Sequence, residues 1–306
     1  MNKNFLKEIK STKKITSLII LMVLIFLSFG ISRSRFITHG TESTYKIYPI
    51  SIPKKVSFAG EEMILDEDDL IERMDREFLV NTYWQSNTIL LIKRANKYFP
   101  QIEKILISEG IPIDFKYLAL IESGLQNVTS PSGAKGFWQI MKTTGREYGL
   151  EINGNVDERY NLNLSTRLAC KYLKKAKDKF GSWTLAAAAY NRGINGVQNK
   201  LTNQNQTAYE NILFGEETKR YVFRIIALKN IVESPESFGF YIKEEQMYEP
   251  IKYKEIEIDI PLNNLSDFSK DLGLNYKNFK IHNPWLLENH LNNKSRKSYT
   301  ISIPSE

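Results

Sequence analysis

Cysteine is nearly missing from this 306-residue chain. Cys170, in "RLACKYLKK", stands alone, so no internal disulfide can form, and its apolar helical setting marks it as a small buried residue. Histidine is scarce too. His39, His282 and His290 show no metal-ligand spacing, and neither a metal nor another cofactor is expected. A basic face is the third absence. The net charge is +7, but +6 of it lies in residues 1–35, where Lys3, Lys7, Lys10, Lys13, Lys14, Arg33 and Arg35 are opposed by Glu8 alone. The +1 that remains gives the folded part no footprint for nucleic acid. Strand-like alternation is also nearly absent between Asp68 and Ser234, which points to an all-α region there.

What is present begins with a basic leader, residues 1–14, and the 17 uncharged residues "ITSLIILMVLIFLSFGI" from Ile15 to Ile31. The run is short for a transmembrane anchor and long for the core of a signal peptide, so both readings stand, the second with cleavage near Ser28 to Gly30. In either case the lysines ahead of it keep the start of the chain in the cytoplasm and place the rest beyond the membrane, in the cell envelope. No cysteine follows the run, which excludes a lipoprotein anchor. Residues 32–67 show no sustained period and read as a stalk or linker. From 68 to 238 the pattern is helical. Pro100 and Gly110 punctuate the first helices, Asp114 is placed to cap the helix "DFKYLALIES", and Gly124 lies past its end. Residues 239–306 change texture: an alternating strand "YKEIEIDI", two short helices and a closing strand "KSYTISIP" form a small α+β unit.

Within "YLALIESGLQNVTSPSGAKGFWQIM" one glutamate, Glu122, ends an apolar helix. Burial and the negative end of the helix dipole both disfavour its charged form and push its proton affinity toward neutrality, as a general acid and base requires. A glutamate at a helix end is more often simply solvated, so the surrounding pattern has to decide. Gly124, Gly133 and Gly136 would open a groove, Phe137 and Trp138 would offer a flat face, and Gln139 a donor and an acceptor. "AAAAYNRG" adds Tyr190 and Asn191. Flat faces beside amides suit a sugar.

The ordered motifs "ESGL", "SPSGAKGFWQIMKTTG", "AYNRG" and "ETKRYV" resemble the catalytic domain of the lytic transglycosylases, glycoside hydrolase family 23. "GFWQ" is similar to the membrane-bound lytic murein transglycosylase D subgroup. The resemblance implies a mainly α fold, with a lysozyme-like all-helical catalytic domain over 68–238. It implies that Glu122 is the catalytic acid and base, that Ser123, Gln139, Tyr190, Asn191 and Tyr221 bind substrate, and that Glu217, Gly136 and Trp138 are structural or substrate-orienting. Lys142 and Lys219 depart from the proline and arginine common at their positions. Residues 239–306 resemble a degenerate LysM βααβ module, in which "PLNNL" replaces the usual turn; glycan binding and a purely structural cap both remain open for it.

Glycosidases usually need two carboxyl groups, yet the motifs supply one. Asp157 and Glu158 in "VDERY" read as a salt-bridge cluster. The family resolves this with a substrate that supplies its own nucleophile, the 6-hydroxyl of N-acetylmuramic acid, giving a 1,6-anhydro product without metal or cofactor. The implied partner is the peptidoglycan glycan strand. A lysozyme-like hydrolase of the same fold and a non-catalytic wall-binding protein are the alternatives.

Overall fold

The computed structural model describes residues 46–305, so the apolar run at 15–31 lies outside the described residues. Among those described, no helix is long and apolar enough to cross a membrane. One compact unit begins at Ile50 and holds everything after it.

The unit opens with a hairpin, β1 (Lys55–Phe58) and β2 (Glu61–Ile64), paired antiparallel with Val56 opposite Met63. This corrects the expectation of a stalk up to residue 67. Val56, Phe58, Met63 and Leu65 are buried in the main core, because alternate residues of so short a hairpin present one apolar face. Two acidic side chains lock it down. Asp114 accepts from the Ala59 amide at 2.8 Å and from Lys229 Nζ at 2.6 Å. Glu61 accepts from the backbone amides of Trp183 and Thr184 at 2.6 and 2.9 Å and from the Ser182 hydroxyl at 2.8 Å. Asp114 is therefore a tertiary tie and makes no side-chain cap, contrary to the sequence reading.

The helices follow as α1 (Asp68–Tyr83), α2 (Gln85–Ser108), α3 (Lys116–Ser123), α4 (Lys142–Glu147), α5 (Leu162–Phe180), α6 (Trp183–Arg192), α7 (Ile194–Gln204) and α8 (Glu216–Glu233). Pro100 does not divide α2, as its position in the sequence implied. Leu91, Ile92, Ala95 and Phe99 before it and Ile102, Ile105 and Leu106 beyond it form one buried stripe, and burial of that stripe outweighs the roughly 3 kcal/mol that an interior proline costs. Helix α3 is buried on most sides and ends at Gly124, whose φ of +59° supplies the left-handed cap. Helix α8 packs on α1, α3 and α6, placing it behind the centre of the domain.

The C-terminal part is β3 (Lys252–Ile258), α9 (Leu265–Asp271), α10 (Tyr276–His282) and β4 (Tyr299–Ser305). The strands pair antiparallel, Ile256 opposite Ile301. Their core of Leu265, Phe279, Trp285, Leu286 and Ile301 also takes in Val156, from the loop between α4 and α5. Around that residue the two parts are joined. Asp157 N–H donates to the Trp285 carbonyl at 2.9 Å, Leu287 N–H to the Asn155 carbonyl at 2.9 Å, and Lys297 bridges Glu151 and Glu158 at 2.8 and 2.7 Å.

Candidate active site

Glu122 stands one residue before the end of α3, between the buried Leu120 and the buried Ser123. Its carboxyl Oε1 accepts a hydrogen bond from the Tyr221 hydroxyl, which comes from the opposite face of the site on α8. Burial pushes the Glu122 carboxyl up to about 7. The Tyr221 hydrogen bond opposes the rise, the like charge of Glu217 adds to it, and Arg224 opposes it. The sequence reading had the direction, and the resemblance had named Tyr221 and Glu217 in other roles; Arg224 it did not name. Tyr221 is buried as well, and burial with the adjacent Glu122 carries its hydroxyl far above the usual phenol range, so it stays a donor at neutral pH.

Glu217 sits in the exposed first turn of α8, where a carboxylate complements the helix N-terminus. It accepts from Asn191 Nδ2 at 3.0 Å, and Asn191 Oδ1 accepts from the Thr218 hydroxyl at 2.7 Å. The end of α6 is thereby fastened to the start of α8 beside the acid. Tyr190, one residue earlier, donates to the Trp138 carbonyl at 2.8 Å. Burial and the proximity of Glu122 raise its hydroxyl well above the ordinary value.

The loop 133–140 departs from the groove expected of it. Phe137 and Trp138 are buried, and Trp138 Nε1 donates to the Thr166 hydroxyl at 2.8 Å, so neither ring offers a sugar a flat face. Gly136 does not open a groove either: a Cβ there would lie 2.1 Å from the Arg159 carbonyl oxygen, and glycine is what allows that approach. Gln139 adopts φ +46° and donates through Nε2 to the carbonyls of Gly136 and Val128 at 2.8 and 3.2 Å, holding the loop. Ser123 donates to the Phe137 carbonyl at 2.8 Å and latches the end of α3 to the same loop. Asp157 is the salt-bridge residue the sequence implied, gripping Arg159 through two bonds of 2.7 and 2.8 Å. Arg159 in turn donates to the carbonyls of Gly133 and Ile140 at 3.2 Å each.

Glu122, Tyr221, Glu217, Asn191 and Tyr190 are thus linked around one acid, while Gln139, Trp138 and Gly136 support it from the loop. A cleft of about 420 Å³ runs between α1, α2, α3 and α8; the neighbours of the acid in sequence, Ile121, Ser123 and Gly124, are in its wall, and Glu122 itself is not. Its wall includes Trp84, 61% exposed, which the sequence reading passed over; an aromatic in the polar "NTYWQSN", at the junction of two helices, was the available signal. A second cleft, about 510 Å³ at the seam between α5 and β4, has no residue of α3 in its wall. Cys170 is buried, its thiol pushed up to about 12 by burial, and takes no part. Among the described residues no group of histidine, cysteine and carboxylate side chains could hold a metal ion.

Residues 108–213 match the family model described as Transglycosylase SLT domain. That stretch is similar to a transglycosylase SLT domain. Glu122, Ser123, Gln139, Tyr190 and Asn191 fall inside that match, and Glu217 and Tyr221 just beyond it. Residues 254–306 match the soluble lytic transglycosylase C-terminal LysM-like domain. Membrane-bound lytic murein transglycosylase D of Escherichia coli K12 is 31% identical over 191 residues, which cover 60% of this chain and 42% of that protein. The chain therefore spans less than half the length of that relative. Among solved structures, an inactive mutant of lytic transglycosylase Slt from Pseudomonas aeruginosa is 23% identical with a TM-score of 0.37, over 51% of this chain and 26% of that one. The 70 kDa soluble lytic transglycosylase of Escherichia coli is 20% identical with a TM-score of 0.41, over 56% and 31%.

Proposed function

We propose that this chain is a lytic transglycosylase that cleaves the β-1,4 bond between N-acetylmuramic acid and N-acetylglucosamine in peptidoglycan. The observation that carries the reading is the Glu122 carboxyl, inside the SLT match, raised by burial to about 7 and hydrogen-bonded by Tyr221 from just beyond that match. With Oε1 taken by the tyrosine, Oε2 delivers the proton to the glycosidic oxygen as the bond to the muramic C1 breaks. The carboxylate left behind keeps the Tyr221 hydrogen bond. It then removes the proton of the 6-hydroxyl as that oxygen attacks C1, closing the 1,6-anhydro ring and returning the acid to its starting form. No water is consumed.

Asn191 and Glu217 hold the α6–α8 side of the site, and Ser123 and Gln139 the loop side. The catalytic part, on this reading, runs from the hairpin at Lys55 to Phe238, and residues 239–305 form the LysM-like module. The apolar run at 15–31 would carry the chain to or across the membrane, placing the SLT domain in the cell envelope, where it remodels or turns over the wall.

The test is digestion of purified peptidoglycan with the full chain, the products weighed by mass spectrometry. Ends lighter by one water, with 1,6-anhydromuramic acid, are the expected result. Reducing ends would instead mean hydrolysis, for which the exposed Glu217 beside Glu122 is the candidate base. Intact strands would leave a wall-binding protein.

A further inference from the structure

The cleft between α1, α2, α3 and α8 is lined by Arg94, Arg220 and Arg224 against a single acid, Glu77. Glu77 is fully buried on α1 and sits at the base of the arginine pair. Its Oε1 accepts from Arg220 Nε at 2.6 Å and its Oε2 lies 3.4 Å from Arg224 Nε. Both contacts use the nitrogen nearest the stem, which turns the terminal forks of the two guanidinium groups away from the carboxylate that holds them. Arg94 comes from α2, across the cleft, with Nη1 3.3 Å from the Gly124 carbonyl at the end of the catalytic helix. Three guanidinium groups on two helices therefore converge on a space that also presents the exposed indole of Trp84. A neutral sugar chain has no use for such a charge. A carboxylate does, because a guanidinium fork matches its two oxygens and charge-assisted bonds are the strong ones.

We propose that this cleft is a subsite for the peptide-bearing sugar, with Trp84 stacking on the ring and Arg220 and Arg224 binding a free carboxylate of the peptide attached to the muramic lactyl group. The inference rests on the reading of the chain as a peptidoglycan-cutting enzyme. Glu77 is the positioning residue of the subsite: it sets the two arginines without reaching the ligand. The consequence is selectivity. Strands whose peptides keep free carboxylates bind, and strands with those carboxylates amidated bind less well.

Calorimetric titration of the full chain carrying Glu122→Gln, so that ligand is not consumed, tests this. The ligands are the tetrasaccharide of alternating N-acetylglucosamine and N-acetylmuramic acid with free peptide carboxylates, the same with those groups amidated, and the peptide-free form with its lactyl carboxyls amidated. The free acid is expected to bind about tenfold tighter or more than either of the others. Arg220→Gln with Arg224→Gln should bring the ratio to about one while peptide-free affinity holds within a factor of about three. Equal affinity for free and amidated ligands would overturn the proposal without recourse to any variant, even if the arginine substitutions fail to fold. A preference that survives both substitutions overturns the assignment to these arginines, and so does the absence of binding to all three ligands. Because the readout is binding, it decides the subsite even if the sacculus digestion shows no cutting.

Discussion

One hydroxyl and one carboxyl, those of Tyr221 and Glu122, meet in a buried place that neither helix would make alone. The folded carboxyl titrates near 7 against an ordinary value of 4.5. Between those values the folded chain holds a proton that the unfolded chain has lost, so the Glu122 contribution is fully present below 4.5 and is lost as pH rises through about 7. Glu122→Gln should therefore abolish cutting yet raise stability at pH 8, by up to about 3 kcal/mol, with the gain disappearing in acid. Denaturant unfolding at the two pH values measures it. The like charge of Glu217 adds to the raised proton affinity, so Glu217→Gln should move the alkaline limb of the kcat/KM profile to lower pH. An unmoved limb would remove Glu217 from the electrostatics of the acid. Glu122 could be read in the sequence because its motif is local. The Glu77–Arg220–Arg224 set could not, because it joins α1 to α8 across more than a hundred residues and no spacing announces it.

At the scale of elements, the hairpin is the least expected part. Eight strand residues in two short runs carry too little periodicity to stand out, and only the fold shows Glu61 meeting the first amides of α6. Burial opposes the charge on Glu61, but the Thr184 and Trp183 amides and the Ser182 hydroxyl hold its carboxyl below the ordinary value. Its stabilising effect is present above 4.5 and is lost as pH falls through the lowered value. Glu61→Ala should cost about 1–2 kcal/mol near neutrality and less in acid, as thermal unfolding would record. The loop 133–140 is a contrasting case. Its glycines and aromatics were legible as a special segment, but Trp138 and Gly136 serve contact with Thr166 and Arg159, and the mistake lay in reading a buried scaffold as a sugar platform. Gly136→Ala, which would drive a Cβ into the Arg159 carbonyl, should lower stability by about 2 kcal/mol or more and loosen Gln139 with it.

For the whole molecule, the βααβ module was legible as a unit because its two strands alternate and its helices are short and capped by Asn264 and Asn275. Its attachment was not. Val156 lies in the module's core, while its neighbour Asp157 bonds both the Trp285 carbonyl and Arg159, the residue that holds the 133–140 loop. Val156→Asp, which would bury a charge among Leu286, Phe279 and Trp285, should cost about 3 kcal/mol or more. Because the seam is shared, calorimetry should show one unfolding transition for the wild type, displaced as a whole in the variant. Two separated transitions would mean that the module folds independently of the helical part.

The Tyr221–Glu122 hydrogen bond also sets an order in time. A ribosome delivers the acid 99 residues before its phenolic partner, and the module that steadies the neighbouring loop arrives later still. A nascent chain that has passed residue 122 but not residue 221 therefore carries Glu122 without the hydroxyl that tunes it, and the pair is completed only once most of α5 to α8 has been made.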